Sequence, residues 1–313
     1  MNALRKIVDC TPPAELQHDE SDAHLVLEGE PGASCSIWWR RTPEHQGQRV
    51  GAIGHFSASD AESGARLLLA ACARLAARGC RLVVGPMDGN TWRRYRAVIE
   101  RGEEPPFFLE PDTPAHWREC FARAGFSVAA TYCSSVQDDL AKRDERVQAV
   151  ARRAAAAGIS FRAFDRGNAE RDLRAIHALV LSAFGDSFLF SPIAQSDFLA
   201  QYARLLPHVN SALALIAEQR GEPVAFAFGL PDALETGRGA AASTVILKTV
   251  AARPGLAYMG LGHVLVDYGA TVAVGLGYRR AVHALMHESN SSFSWSARYG
   301  RVFRRYALFG RSL

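Results

Sequence analysis

The order of strand-like and helix-like segments is the feature that most constrains the fold of this chain. Its two halves share one pattern, with two extra helices at 168–184 and 196–206 in the second half. The first half has apolar runs at 24–28, 34–40 and 49–57, a helix from Ser59, a run at 81–86, a helix after Thr113 and a run at 126–136. The second half has runs at 211–218, 223–230 and 243–250, a helix at 261–274, a run at 279–285, a short helix near 290–298 and a run at 302–309. Each half is therefore β-β-β-α-β-α-β, which predicts two copies of one α/β unit of about 150 residues.

Composition excludes several classes of protein. The 313 residues are 48% hydrophobic and 22% charged, which is typical of a globular protein and not of a disordered chain. The formal net charge of +4 is spread along the chain without a run of like charges, so we expect no nucleic-acid partner. No apolar stretch approaches the length of a membrane span, which predicts no membrane contact and a cytoplasmic location. Six cysteines without a C-x-x-C pair indicate packing residues, and we expect no metal.

Local signals predict how the helices of the first half begin. Ser59 followed by Glu62 forms a capping box, and Gly79 marks the end of that helix. Thr113 and Pro114 predict a second start, with the helix ending at Gly125.

The segment 245–266, VILKTVAARPGLAYMGLGHVLV, carries the strongest chemical signal. A strand ending at Val250 leads through a glycine-bearing turn directly into an amphipathic helix. Glycines allow a ligand to approach the backbone, and the free N–H groups of the first helical turn attract an anion. No acidic residue occurs between Glu235 and Asp267, so the local charge also favours an anion such as a pyrophosphate. The alternative interpretation is an ordinary glycine-rich turn.

This segment resembles the acetyl-CoA loop of the GNAT (Gcn5-related) N-acetyltransferases. The family's R/Q-x-x-G-x-G/A loop falls on 257–262, AYMGLG, with Ala257 in place of the Arg or Gln, and its later asparagine falls on Asn290. The resemblance covers 160–313, and the first half only by element order and by the ending FARAGF. It implies an α/β (α+β) fold of two GNAT-like lobes, each a mixed, mostly antiparallel sheet flanked by helices. The expected divisions are a degenerate lobe at 1–139, a helical connector at 140–160 and a lobe with the acetyl-CoA loop at 161–313.

The resemblance also implies which residues act. The residues expected to contact acetyl-CoA are Thr249, Val250, Tyr258, Met259, Gly260, Leu261, Gly262, His263 and Asn290. The family's usual tyrosine, which protonates the leaving thiolate, falls on Ser296, a poorer acid, and Tyr299 one turn later is the alternative. Asp232 is the nearest carboxylate for a general base.

The first half lacks the anion-binding features of the second. At the corresponding helix start, Asp60 and Glu62 occupy the place of a phosphate, which they would repel. We therefore expect one CoA site per chain.

The segment 85–111 suggests what the first half does instead. This long stretch is rich in aromatic and arginine residues, and Trp92, Arg96 and Phe107 are candidates to line the acceptor site. The alternative is that the aromatic residues fill the junction between the halves while the arginines pair with nearby glutamates.

These observations together predict a two-lobed N-acyltransferase, a monomer or homodimer, that moves an acetyl group from acetyl-CoA to a primary amine of a small molecule or peptide. One alternative is a CoA-binding or regulatory protein that has lost its catalytic residues. A second is an aminoacyl-tRNA-dependent transferase, since such enzymes also pair two GNAT-like lobes.

Overall fold

The computed structural model describes residues 6–30, 32–142 and 144–313. The first half contains β1 (Ile7–Cys10), β2 (Ala23–Leu27), β3 (Ala33–Trp38), β4 (Glu44–His45), β5 (Gln48–Ala58), α1 (Ala61–Ala77), β6 (Leu82–Gly85), β7 (Ala97–Glu100), α2 (Trp117–Arg123) and β8 (Ser127–Gln137). The rest contains α3 (Arg146–Ala156), β9 (Ile159–Ala163), α4 (Ala169–Phe184), α5 (Gln195–Leu205), β10 (Ala214–Gln219), β11 (Glu222–Pro231), α6 (Ala233–Gly237), β12 (Thr244–Ala252), α7 (Leu261–Gly275), β13 (Arg280–His287), α8 (Ser291–Ser296) and β14 (Arg301–Ser312).

One continuous sheet runs through both halves. Its order is β1-β2-β3-β5-β6-β14-β8-β13-β12-β11-β10-β9, and β4 and β7 pair with β5 and β14. Two neighbouring pairs are parallel, β5 with β6 and β12 with β13, while the other pairs are antiparallel. The predicted mixed, mostly antiparallel α/β architecture is therefore confirmed.

The two halves exchange their last strands. β14, the last strand of the chain, pairs with β6 of the first half, and β8, the last strand of the first half, pairs with β13 of the second. β8 and β14 then pair with each other along most of their length, from Arg301 opposite Val136 to Gly310 opposite Ser127. Each half thus needs a strand of the other to complete its sheet, and the centre of the molecule is shared.

Buried side chains form a separate core in each half and a shared one between them. In the first half α1 and α2 cover the sheet with Leu67, Leu75 and Phe121, all fully buried. In the second half α4 and α5 cover one face and α7 the other. Five of the six cysteines are buried among these side chains, and Cys10 is exposed. Among the described residues no helix is long and apolar enough to cross a membrane.

The predicted starts of the first two helices were wrong by one and three residues. The N-cap of α1 is Asp60, whose side chain accepts a hydrogen bond from the backbone N–H of Ser63, because the N–H of Ser59 is already donated to the carbonyl of Gly32. α2 begins only at Trp117, since the hydroxyl of Thr113 accepts from the N–H of Val98 in β7 and is not available as a cap.

Four strands lie where the sequence suggested none. β1 and β4 fall outside the predicted apolar runs, β7 occurs within the stretch predicted to be irregular, and β9 begins at the end of the predicted connector, whose helix is α3. All are short strands of two to five residues. Such lengths give too little alternation of apolar and polar residues to be recognised.

Candidate active site

Strands β12 and β13 form a cleft at the centre of the second half. They are paired in parallel over only four residues, from Thr244 opposite Arg280 to Leu247 opposite His283. Beyond that point β13 continues beside β8, while β12 runs on through Ala252 beside β11. The two strands therefore diverge, and about five residues of β12, some 16 Å of strand, line one wall of the opening.

Both walls are irregular where the strands part. On β12 the register with β11 shifts between Leu247 and Thr249, which leaves Lys248 as the extra residue of a bulge. On β13 the register with β8 shifts between His283 and Met286, and Leu285 has a positive φ of 60°. The N–H of Leu285 donates to the hydroxyl of Ser134 in β8 instead of continuing the ladder.

The mouth of the cleft is the glycine-bearing turn and the start of α7. Gly260 is the N-cap of α7 in the left-handed region, with φ of 88°. A Cβ on Gly262 would lie 2.9 Å from a methyl group of Val250, so glycine is needed there for α7 to approach β12 this closely. The turn is held from outside, because Arg153 donates to the carbonyl of Met259 and the hydroxyl of Tyr258 donates to Gln219.

The predicted CoA-contacting residues are thus brought to one place, apart from Asn290. Thr249 and Val250 line β12, while Tyr258, Met259, Gly260, Leu261, Gly262 and His263 form the turn and the first turn of α7. Asn290 is exposed and precedes α8, the helix whose Trp295 stacks on His263 of α7, but no contact joins Asn290 itself to the turn among the described residues.

Ser296 and Tyr299 belong to an aromatic cluster behind β13. Trp295 is stacked between the rings of His263 and His283, with centroid distances of 5.3 and 5.1 Å. The fully buried hydroxyl of Ser296 lies 2.7 Å from Nδ1 of His283, and burial lowers the pKa of that imidazole to about 4. Tyr299 packs on Trp295, and burial, reinforced by the charge of Asp144, raises the pKa of its phenol. The phenol of Tyr299 therefore lacks the lowered pKa that would make it a stronger acid.

Asp232 lies at the closed end of the strand pair. Its backbone N–H donates to the carbonyl of Thr244, the first residue of β12, about 13 Å of strand before Lys248. Its carboxylate accepts from the backbone N–H groups of Leu234 and Phe108. Asp232 thus caps α6, and its hydrogen bond to Phe108 links α6 to the segment 85–111 of the first half.

The corresponding cleft of the first half is closed by its own chain. β5 and β6 also part after a short parallel pairing, and β5 has a bulge near His55, which has a positive φ of 44°. There the N–H of Met87 donates to the carbonyl of Ile53, and the carboxylate of Asp88 accepts from the backbone N–H of His55 at 2.7 Å. At the start of α1, a Cβ on Gly64 would lie 2.5 Å from Sγ of Cys120 in α2. The place of a ligand is therefore filled by protein atoms.

Asp19, His55 and Asp88 form the group of described residues whose ligand atoms lie close enough to hold a metal ion, within 4.8 Å of one another. Burial opposes ionisation of Asp19, but the hydrogen bond from His55 and the charge of Arg93 lower the pKa of its carboxyl. Arg93 pairs with Asp19 at 3.1 Å, so a guanidinium already supplies the positive charge that an ion would bring. This arrangement is complete as an ion-pair network.

Of the three predicted acceptor residues, two pack at the junction of the halves and one reaches the cleft. Trp92 lies at the junction, where its indole N–H donates to the carbonyl of Ser191 and its ring contacts Phe190 and Phe198. Phe107 is buried against Phe303 of β14. These contacts match the alternative interpretation of aromatic residues that fill the junction.

Arg96 differs from those two residues because its guanidinium reaches the wall of the cleft. One of its nitrogens, Nη1, donates to the carbonyl of Leu285 at 2.9 Å. Lys248, on the opposite wall, was not among the predicted site residues. A lysine within the apolar run VILKTVA is the signal that could have identified it.

Comparison with known proteins agrees with this architecture. No family model matches the sequence, and no curated protein is a significant match. Among solved structures, a GCN5-related glucosamine N-acetyltransferase region of a fungal multi-domain GH3 β-N-acetylglucosaminidase aligns with a TM-score of 0.57 at 14% identity over 99% of this chain, which spans 38% of that structure. A GCN5-related N-acetyltransferase from Sphaerobacter thermophilus aligns with a TM-score of 0.53 at 14% identity, over 98% of this chain and 95% of that one.

A third such protein, from Anabaena variabilis, aligns with a TM-score of 0.51 at 10% identity, over 92% of this chain and 62% of that one. The chain therefore has the fold of the GCN5-related N-acetyltransferases, and the resemblance predicted from the sequence is confirmed at the level of the fold.

Proposed function

We propose that this protein is an acetyl-CoA-dependent N-acetyltransferase whose single active site is the cleft between β12 and β13. The observation that carries the proposal is the contrast between the two clefts. The second-half cleft opens beside a glycine-capped helix start free of acidic residues, whereas Asp60, Asp88 and the helix α2 fill the first-half cleft.

Acetyl-CoA would bind with its pyrophosphate at the N-terminus of α7. The free N–H groups of the first turn and the helix dipole favour a phosphate there, and that turn carries no acidic residue. The pantetheine arm would extend along Val250 and Thr249 into the cleft, which would place the thioester near the bulge at Lys248.

The reaction is direct attack of a neutral amine on the thioester carbonyl. A backbone N–H of β12 at Thr249 or Val250 would polarise that carbonyl, and the cleft would hold the two reactants in line. The amine nitrogen forms a bond to the acyl carbon, the carbon–sulfur bond breaks, and the proton lost by the amine ends on the CoA thiolate.

Titration calorimetry with acetyl-CoA tests the binding site, using opposite charges at one exposed position. Ala257 is exposed in the turn, and an Arg there should tighten binding about two- to fivefold, as a charge contributing about 0.5 to 1 kcal/mol would. Ala257→Glu should weaken binding by a similar factor. Glu62→Gln at the start of α1 is the matched control and should leave affinity and a stoichiometry of one unchanged.

Two binding events per chain, or equal affinities for the two Ala257 variants, would contradict the proposal.

Thiol release with a pool of primary amines separates an enzyme from the alternative of a CoA-binding regulatory protein. That alternative predicts the same binding of acetyl-CoA, but no release of the thiol above the uncatalysed rate in buffer.

A further inference from the structure

Arg96 is a buried cation without an anionic partner. The residue is 4% exposed, and its guanidinium carbon lies 3.8 and 3.9 Å from the ring centroids of Tyr95 and Tyr132. One nitrogen bonds to the carbonyl of Leu285, while Nε is buried without a hydrogen-bond partner. No acidic side chain of residues 6–30, 32–142 and 144–313 forms an ion pair with it. A buried charge left this way is costly unless a ligand completes it.

Lys248 brings a second positive charge to the same cleft. It is the bulge residue of β12, immediately before Thr249. The pKa of its amine is lowered to about 7, mainly by burial and then by repulsion from Arg96, against a smaller opposing effect of Glu110. Arg96 also lowers the pKa of His287, after the larger effect of burial on that imidazole.

The carboxylate that acts on Lys248, that of Glu110, is already neutralised. Glu110 is fully buried and pairs with Arg304 at 2.7 Å through one oxygen, while its other oxygen accepts from the hydroxyl of Tyr306. Arg96 and Lys248 therefore leave the inner end of the cleft with an excess of positive charge.

We propose that Arg96 and Lys248 form a subsite for a carboxylate of the acceptor, so that the substrate is an amino acid or a similar amine with a carboxylate close to its nitrogen. The inference rests on the proposed function, since it places the carboxylate beside Thr249, where the acyl carbon would lie. A planar carboxylate fits the edge of a guanidinium, and the rings of Tyr95 and Tyr132, whose planes are nearly perpendicular to each other, hold this one in place.

Binding of an anion at this place should be linked to protonation of Lys248. The charged groups that act on its amine are Arg96 and Glu110, and the side chain of the next residue, Thr249, is hydrogen-bonded to the hydroxyl of Tyr202. A carboxylate between the two cations stabilises the protonated lysine, so it raises the pKa of the amine and binds more tightly below pH 7 than above it.

The chain contains only three lysines, which makes this pKa directly measurable. The full-length protein is labelled briefly with dinitrofluorobenzene over a range of pH, with and without sodium acetate as the anionic probe and sodium chloride as the ionic-strength control. Mass spectrometry then gives the reactivity of the Lys248 peptide relative to that of exposed Lys142. Acetate should slow the labelling of Lys248 at pH 7 by about fivefold, the effect of a one-unit rise in pKa.

Arg96→Met should remove that effect and, without acetate, make Lys248 less reactive at pH 7, because the repulsion from the guanidinium is gone. If Arg96→Met does not fold, Arg96→Lys takes its place in the test. Lysine keeps the positive charge but lacks the paired N–H groups of the guanidinium, so the variant should have a lower affinity for acetate. No response to acetate in the wild-type protein, or the same response in Arg96→Met, would overturn the subsite.

A second arm separates this inference from the proposed function. Thiol release from acetyl-CoA is compared for a pool of the standard L-amino acids and for the pool of their amides. The subsite predicts faster turnover of the acids, and Arg96→Met should raise the apparent KM for the acids while leaving the calorimetric affinity for acetyl-CoA unchanged. Turnover of the amides at the same rate would refute the subsite and leave the transferase standing, whereas absence of acetyl-CoA binding would refute the proposed function.

Discussion

The buried pair of Arg304 and Glu110 offers a stability test of the shared centre. Arg304 in β14 is 1% exposed, and it also donates to the carbonyls of Arg101, at 2.6 Å, and Glu104. Arg304→Met would leave the carboxylate of Glu110 buried without its cation and two carbonyls without a donor. Breaking such a pair costs about 3 to 5 kcal/mol of unfolding free energy.

The next residue provides a matched control. Arg305 pairs with Glu100 at 2.6 Å and Glu288 at 3.0 Å, but its side chain is 39% exposed. Arg305→Met should therefore cost about 1 kcal/mol or less. In urea unfolding followed by tryptophan fluorescence, Arg304→Met should lower the midpoint by on the order of 1 M and Arg305→Met by a small fraction of that.

The reasoning also predicts a rescue. Replacing both partners with apolar residues, in Arg304→Met with Glu110→Leu, removes the unpaired charge and should recover much of the lost stability. Equal midpoints for the two arginine variants would show that Glu110 becomes hydrated when its partner is lost. The segment 101–110 would then not be held against β14 as the structure has it.

Two further outcomes follow from the junction and the aromatic cluster. The pKa of His283 is 6.5 in the unfolded chain and about 4 in the folded protein. Between pH 6.5 and pH 4 the unfolded chain therefore binds more protons than the folded protein. The free energy of unfolding should decrease by about 3 kcal/mol as the pH drops through this range. Urea titrations from pH 7 to pH 4 should show that decrease in the wild type and a smaller one in His283→Gln, and identical slopes would contradict it. Trp92→Ala should lower the unfolding free energy by about 3 kcal/mol, because it removes the ring contacts with Phe190 and the hydrogen bond to Ser191, while Trp92→Phe should cost less. A loss of turnover in Trp92→Ala without a loss of stability would instead place Trp92 in the acceptor site.

The sequence was sufficient for most of the second half because its signals there are local. Period-two and helical patterns predicted the major strands and α7, and the glycines at 260 and 262 predicted the shape of the turn. The exchange of β8 and β14 could not be predicted in this way. A strand's pattern shows which face is buried, but it does not show which strand lies beside it.

The inner end of the cleft was only partly predictable for the same reason. Arg96 was one of four arginines in a single segment, and nothing local distinguished it from Arg101, which pairs with Asp112 at the surface. Its burial depends on Tyr132 and Leu285, which are distant in sequence. Asp232 was selected for its closeness to β12 in sequence, but the direction of that strand places it at the closed end.

Hydrogen exchange measured by mass spectrometry, with and without acetyl-CoA, tests the location of the active site most directly. A ligand at the proposed cleft should slow exchange in peptides that cover β12 and the turn at 253–262, while β5 and the start of α1 should be unaffected. Protection of β5 and the start of α1, or binding without any change in β12 and the turn, would contradict the assignment of the second-half cleft as the single acetyl-CoA site.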